Sequence, residues 1–265
     1  MFAVGYDTAA LAKDLRKLGI SEGDTLFVHS SVRSVGETEN GADTIIDALL
    51  SVLGNDGLLC CASHTWDAVG CTTDVYDPKT TPSCTGILSM VLQKREGAVR
   101  SLHPTHSMVV FGRDAEKFIE GEQYMHTPCP REGCCGKLLD RGAKVLFLGV
   151  GLTKNTFIHG VEEWNGIEPR VGTPAPIYIV MEDGSRFEAM FAGHKAPIPD
   201  VSQNYGKLLP VFRAKGIARE GKVGDAQSIL CPCREMFEIT SELLKKEHDL
   251  FLDDLPVKEE LYGDR

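Results

Sequence analysis

The sequence predicts a layered α/β fold with a largely parallel central sheet and a small antiparallel addition. Short apolar runs alternate with amphipathic helical segments along the chain. Runs such as "KVLFLGVG" at 144–151 are apolar throughout, which is typical of strands buried on both faces. One hairpin pattern at 177–192, turning at Asp183-Gly184, interrupts the alternation. With 265 residues, 42% of them hydrophobic, the chain can bury a large core, so we predict a single domain over residues 1–265.

The predicted elements follow in order from periodicity and end signals. Leu11, Leu15 and Leu18 lie at helical spacing between Asp7, an N-cap candidate, and Gly19, a helix stop. Further helices are predicted within 41–54, 85–97 and 233–252. Strands are predicted within 24–32, 57–64, 107–112 and 144–151.

Charge and composition restrict the partners. The net charge of −10 argues against nucleic acid, because phosphate binding needs clustered Lys and Arg, and favours a small polycationic amine. A net negative charge that serves only the solubility of a cytosolic protein explains the composition at least as well. The sequence shows no signal peptide and no run of the ~18 apolar residues that a membrane span needs, so we expect a cytosolic protein without a membrane partner. Nine cysteines, some adjacent, indicate reduced thiols.

Ligands of α/β sheets gather where parallel strands end, so polar residues after the strands are the first candidates. His29, Ser30 and Ser31 follow the first predicted strand, and the small residues up to Gly36 would allow backbone N–H groups to approach a phosphate. A simple connecting loop explains this segment as well. After the second strand, Trp66 beside Asp67 suits an ammonium-bearing sugar, although a surface turn is the more frequent explanation.

Two further segments carry histidines. His103 and His106 precede the third strand, but a zinc site needs more ligands, and the Cys231-Pro232-Cys233 spacing is not a standard zinc motif. We therefore predict no metal, with a zinc-dependent hydrolase as the outside alternative. In "NTFIHGVEEWNG" at 155–166, His159 and Glu162 lie at i and i+3 of a predicted helix. A base with its carboxylate and a helix-start acidic cluster explain that spacing equally well.

In combination, these segments resemble the aminoglycoside 3-N-acetyltransferase (antibiotic N-acetyltransferase) family. The resemblance is carried by "VHSSVRSVG", "RSLHPTHS", "TPCPREGCCGKLL", "KVLFLGVGLTKNTFIHGVEE" and "GKVGDAQSIL", in that order, and covers most of residues 10–252. It implies a three-layer α/β/α fold, different from the GNAT acetyltransferases, and direct transfer from acetyl-coenzyme A without an acyl-enzyme.

The resemblance also implies roles for residues. His159 would be the general base and Glu162 its paired carboxylate. Ser107 would lie near the thioester as an oxyanion donor. The residues expected along coenzyme A are His29, Ser30, Ser31, Val32, Ser34, Val35, Gly36, His103 and Ser107. Those expected on the acceptor are His64, Asp67 and Glu163.

The predicted function is therefore acetyl-CoA-dependent N-acetylation of the 3-amino group of an aminoglycoside. The alternatives are acetylation of another amine metabolite or antibiotic, and a non-catalytic coenzyme A-binding relative. The sequence leaves the oligomeric state open between monomer and homodimer.

Overall fold

A computed structural model describes residues 5–263 of the chain. Its strands are β1 Thr25–Ser30, β2 Leu58–Ala62, β3 Val75–Tyr76, β4 Val99–Arg100, β5 Met108–Gly112, β6 Lys144–Leu148, β7 Ala175–Val180, β8 Arg186–Phe191, β9 Arg219–Val223 and β10 Ala226–Pro232. Its α-helices are α1 Thr8–Leu18, α2 Ala42–Leu53, α3 Ile87–Leu92, α4 Ala115–Ile119, α5 Cys134–Asp140, α6 Thr156–Trp164, α7 Leu208–Ala214, α8 Cys233–Lys246 and α9 Glu259–Tyr262. Short 3-10 helices cover Val32–Val35, Glu122–Tyr124, Leu152–Lys154 and Val201–Lys207.

The central sheet has seven strands in the order β4-β5-β2-β1-β6-β10-β9. The three middle strands, β2, β1 and β6, are parallel, while each outer pairing is antiparallel. Only β5 and β10 run against the other five strands, so the prediction of a mostly parallel sheet is confirmed for strand direction. The antiparallel edges place the beginnings of β5 and β10 beside the ends of β1, β2 and β6.

Helices cover both faces of this sheet. Alternate strand residues point to opposite faces: Phe27 and Phe147 lie in a core with α4 to α8, and Leu26 and Leu146 lie in a core with α1 to α3. All four side chains are 0% exposed. The three-layer α/β/α prediction is therefore confirmed, and the strands are apolar throughout because both faces are covered.

A second, three-stranded sheet forms the predicted antiparallel addition. Its order is β3-β7-β8, with β7 and β8 joined as the expected hairpin through Asp183 and Gly184. An isolated bridge between Val171 and His194 ties the chain after β8 to the segment after α6. The small sheet thereby brings His194 towards the end of the central sheet.

The predicted first helix is confirmed with its ends: the Asp7 side chain accepts from the Ala10 N–H, and Gly19 is left-handed with φ 112°. The short elements β4, β9, α4 and α5 escape prediction because two- to seven-residue segments show too little periodicity.

Among residues 5–263, no helix is long and apolar enough to cross a membrane. The ends of the predicted 1–265 domain, residues 1–4 and 264–265, lie outside the described residues, and the single domain stays a prediction.

Candidate active site

A cleft of about 1360 Å³ opens where the parallel strands β1, β2 and β6 end. Its lining includes Ser30 at the end of β1, His64 after β2, and His106 before β5. Gly149, at the end of β6, has φ +67°, and a Cβ there would lie 2.5 Å from the Ser34 Cβ. Glycine therefore allows the loop after β1 to approach β6 closely. The volume exceeds the ~300–1,000 Å³ of ordinary ligand pockets, so the cleft has room for two substrates.

His159 reaches this cleft from α6 and is held from behind by Tyr205 and Glu162. The Tyr205 Oη lies 2.6 Å from the His159 Nδ1 and 2.5 Å from the Glu162 Oε2. The direct His159 Nδ1 to Glu162 Oε2 distance is 4.0 Å, too long for a hydrogen bond. The expected pairing of these two residues is therefore corrected: a tyrosine hydroxyl stands between them. On its other side, the Glu162 Oε1 accepts from the Arg170 Nε at 2.6 Å.

This geometry selects one imidazole tautomer. The carboxylate of Glu162, paired with Arg170, only accepts, so the single Tyr205 hydrogen goes to Glu162. The Tyr205 oxygen then accepts the Nδ1–H of His159, which leaves the Nε2 lone pair of His159 free. Burial, followed by the nearby His194, lowers the pKa of His159 well below its ordinary value, so the ring is neutral at pH 7.

The cleft contains a chain of imidazoles. The ring centroids of His159 and His194 are 4.0 Å apart, those of His194 and His106 are 5.1 Å apart, and those of His106 and His64 are 4.7 Å apart. All four rings line the cleft. Burial lowers the pKa of His64 and His106 well below 6.5, so these two rings are also neutral, whereas His194 is the exposed ring of the four.

The predicted coenzyme A segment lies only partly on the cleft. His29 and Ser30 line it, whereas Ser31, Val32, Ser34, Val35 and Gly36 do not. Val35 is 0% exposed within the core, and the Ser34 hydroxyl donates to the Ser31 Oγ at 2.8 Å. Gly36 packs against Asp225, where a Cβ would lie 2.4 Å from a carboxylate oxygen. The Val35 side chain packs in the interior, so it is not available to a cofactor in the cleft, and the predicted role of this loop in binding coenzyme A stays a prediction.

His103 and Ser107 are structural in their contacts. The His103 Nδ1 accepts the backbone N–H groups of Thr105 and His106, and its Nε2 bonds the Thr127 carbonyl at 2.9 Å. Ser107 is 0% exposed, donates to the Ser63 carbonyl and accepts from the Arg100 Nε. The hydroxyl hydrogen of Ser107 is thus used in the interior and does not face the cleft, and the role of oxyanion donor stays a prediction.

The three expected acceptor contacts are divided. His64 lines the cleft, as do Trp66 and Asp74. Asp67 is exposed and does not belong to the lining. Glu163 also lies outside the lining. Its carboxylate accepts from the Cys129 N–H at 3.0 Å, and burial raises its pKa to about 7.

One group of side chains within residues 5–263 has the composition and spacing of metal ligands. Ligand atoms of Cys129, Glu163 and His194 lie within 4.8 Å of one another. This group differs from the combination of His103, His106, Cys231 and Cys233 weighed from the sequence. Cys231 and Cys233 are both 0% exposed in the core between the central sheet and α8.

Lys154 and Lys195 are both exposed on the cleft lining. Two mobile ammonium groups beside a polar cleft fit the phosphates of a nucleotide-bearing cosubstrate. They are balanced by two exposed carboxylates on the same lining, Asp74 and Asp200. The cleft lining within residues 5–263 is thus close to neutral in charge, although the whole chain is acidic.

Sequence reasoning missed Tyr205, Arg170 and His194. Tyr205 lies 43 residues after Glu162, in the 3-10 helix Val201–Lys207, and carries no local motif. His194 follows the hairpin in "AGHKAP", where one histidine among small residues resembles a surface loop. A search for every histidine near a predicted strand end would have found His194, but nothing local indicates Tyr205.

Comparisons with known proteins agree on one group. The family model described as aminoglycoside 3-N-acetyltransferase matches residues 27–245. The chain is 33% identical to an aminoglycoside N(3)-acetyltransferase III of Salmonella sp, over 89% of this chain and 91% of that protein. It is 30% identical to aminoglycoside N(3)-acetyltransferase VII of Streptomyces paromomycinus, over 86% and 88% respectively.

Solved structures give the same result. AAC-IIIb in binary complex with CoASH superimposes with a TM-score of 0.81 at 26% identity, covering 91% of this chain and 97% of that one. A mutant of aminoglycoside acetyltransferase AAC(3)-IVa in complex with a gentamicin has a TM-score of 0.81 at 26% identity, covering 95% and 93%.

Proposed function

The chain belongs to the aminoglycoside 3-N-acetyltransferase family, and on that premise we propose that it transfers an acetyl group from acetyl-CoA to an amine of an aminoglycoside. The observation that carries the proposal is the relay from Glu162 through Tyr205 to His159, a ring that lines the cleft and whose Nε2 has no hydrogen-bond partner among residues 5–263. Such a relay has no use in a protein that only binds its ligands, which disfavours the non-catalytic alternative.

His159 has the properties of a general base. Its neutral Nε2 can accept a proton from the acceptor amine as the nitrogen attacks. The positive charge that then forms on the ring lies one hydroxyl away from Glu162, so the relay stabilises it in a buried site. Arg170 holds the far side of Glu162 and prevents the carboxylate from turning away.

The cleft supports a two-substrate reaction. Acetyl-CoA, when bound, supplies the acetyl group as a thioester with a thiol leaving group. Lys154 and Lys195 are the cations available for its phosphates, and Asp74 and Asp200 are the carboxylates available for acceptor ammonium groups. Holding both molecules in one cleft provides rate through proximity, so no acyl-enzyme is required.

The test is release of free thiol by purified protein with acetyl-CoA and an aminoglycoside panel that includes gentamicin and sisomicin. We expect turnover by the wild type and a loss of about 10²-fold or more for His159→Ala, the range of general base catalysis. Unchanged binding of coenzyme A by calorimetry would show that the variant keeps its fold. Normal turnover by His159→Ala would remove this residue as the base.

A second candidate is acetylation of an amine with fewer charges. It is favoured by the balanced charge of the described cleft lining, where two lysines offset two aspartates. Including 2-deoxystreptamine, with two amines, in the same panel separates the candidates by the ratio of their kcat/KM values. Cytosolic location and the oligomeric state stay predictions.

A further inference from the structure

A second histidine shares the cleft with His159. His194 follows β8 of the small sheet, and the backbone bridge to Val171 fixes its position. The two rings are tilted by 41° with centroids 4.0 Å apart, which is direct contact. The small sheet therefore supplies one imidazole and α6 the other.

In both rings it is the same nitrogen, Nδ1, that is taken up by a hydrogen bond. The His194 Nδ1 lies 3.3 Å from the Arg170 carbonyl, which only accepts, so this nitrogen carries the hydrogen. His159 donates its Nδ1–H to Tyr205 in the same way. Within residues 5–263, neither Nε2 has a hydrogen-bond partner, and both rings line the cleft. Two imidazoles in ring contact thus each keep an Nε2 lone pair that no hydrogen bond uses.

We propose that His194 is a second residue that contacts the acceptor, and that the Nε2 atoms of His159 and His194 accept the two N–H hydrogens of one primary amine. This inference rests on the proposed function and defines the acceptor class as primary amines. Two acceptors orient the nitrogen lone pair away from the imidazoles, towards the other substrate. His159 has the relay behind it and takes the proton, while His194 only positions the amine.

The atoms balance with one base. The amine enters as the free base, having lost its ammonium proton to solvent. As the nitrogen–carbon bond forms, the carbon–sulfur bond breaks and its electron pair goes to sulfur. His159 receives the proton from nitrogen and delivers it to that sulfur, so neither histidine gains a proton over the cycle.

The charges around His194 matter for its pH behaviour. The titratable or charged groups around it are His159, His106, His103, His64, Arg170, Glu163 and Cys129, with Lys195 adjacent in sequence. A proton on either ring of the pair repels a proton on the other, and His194 is the largest cause after burial that lowers the pKa of His159. Removing His194 should therefore raise the pKa of His159.

The experiment compares His194→Leu, which removes the acceptor nitrogen, with His194→Gln, which keeps an acceptor oxygen. With sisomicin, we expect kcat/KM to fall about 10- to 100-fold in His194→Leu and less in His194→Gln, since one hydrogen bond to a reacting group accounts for this range. In both variants the acid limb of the kcat/KM profile should move to higher pH. Imidazole NMR titration without substrates should show the same upward shift for His159.

The matched control is His126→Leu. His126 bonds the Met190 carbonyl on the same small sheet but lies outside the cleft lining, so its loss should leave both readouts unchanged. Equal losses in the Leu and Gln variants with an unmoved His159 titration would overturn the inference and leave His194 a structural residue. Undiminished turnover by His194→Leu would also overturn it. A failure of the proposed function would be recognised separately from a failure of this inference, because the wild type itself would then release no thiol.

Discussion

At the scale of the residue, the site depends on a single hydroxyl. Tyr205 is 0% exposed, and burial together with the adjacent Glu162 raises its pKa well above its ordinary value. The phenol therefore keeps its hydrogen at every working pH and cannot itself act as a base. The Tyr205 hydroxyl links two residues by hydrogen bonds. It fixes the tautomer of His159 on one side and donates to the carboxylate of Glu162 on the other.

Replacing Tyr205 by Phe tests this connection. The change removes one hydroxyl and leaves the ring, so packing against Phe251 is retained. A hydrogen bond to a charged group contributes about 1.5–3 kcal/mol, so we expect kcat to fall about 10- to 100-fold. Steady-state kinetics provides the measurement, and Tyr124→Phe, at an exposed tyrosine, is the control. Activity equal to wild type would show that His159 needs no link to Glu162.

At the scale of the element, α6 presents chemistry on one side and core on the other. Phe157, Ile158 and Val161 are 0% exposed in the core, whereas His159 lines the cleft. A nine-residue helix is too short to be stable alone, so this packing holds it and sets the direction of His159.

Gly160→Ala tests how tightly α6 is held. Alanine favours a helix by about 1 kcal/mol over glycine, but a Cβ at Gly160 would lie 2.8 Å from the Trp164 ring. The Trp164 Nε1 donates to the Cys129 carbonyl at 2.9 Å, so the indole cannot move away freely. Overpacking typically costs about 1–3 kcal/mol, and we expect a net loss of stability in denaturant unfolding. Gly151→Ala, where nothing lies within 4 Å of the added Cβ, should be tolerated.

At the scale of the whole molecule, the site concentrates neutral imidazoles in the interior. His29, His64, His103 and His106 are each at most 7% exposed, and burial lowers the pKa of every one. Unfolding exposes these rings to water, where they take up protons below pH 6.5. The folded protein therefore loses stability as pH falls from 6.5 towards the lowered values.

His29 provides the clearest measurement, because its folded pKa is about 3. Between pH 6.5 and about 3, the unfolded state binds a proton at this position that the folded state does not. Each such histidine contributes a slope of up to about 1.4 kcal/mol per pH unit. In urea unfolding across this window, His29→Gln should show a shallower decline than wild type.

Much of the fold and part of the site could be predicted from local pattern. The run "KVLFLGVG" is a buried strand because helices cover both of its faces, and the spacing of His159 and Glu162 places both on α6. The motif order identifies the family. Spacing did not predict whether the two side chains touch, since i and i+3 positions share a face without requiring contact.

The layered fold, the family and the place of His159 on a helix follow from the order of residues along the chain, because periodicity and motif order are local properties. The groups that surround that histidine are known only from the packing of distant segments. Tyr205, Arg170 and His194 reach it from the 3-10 helix Val201–Lys207, the segment after α6 and the small sheet. Ser107, polar and next to a strand, turned inward because Arg100 and the Ser63 carbonyl satisfy it there. Contacts between distant segments arise only when the core packs, and they decide which polar atoms remain free for chemistry.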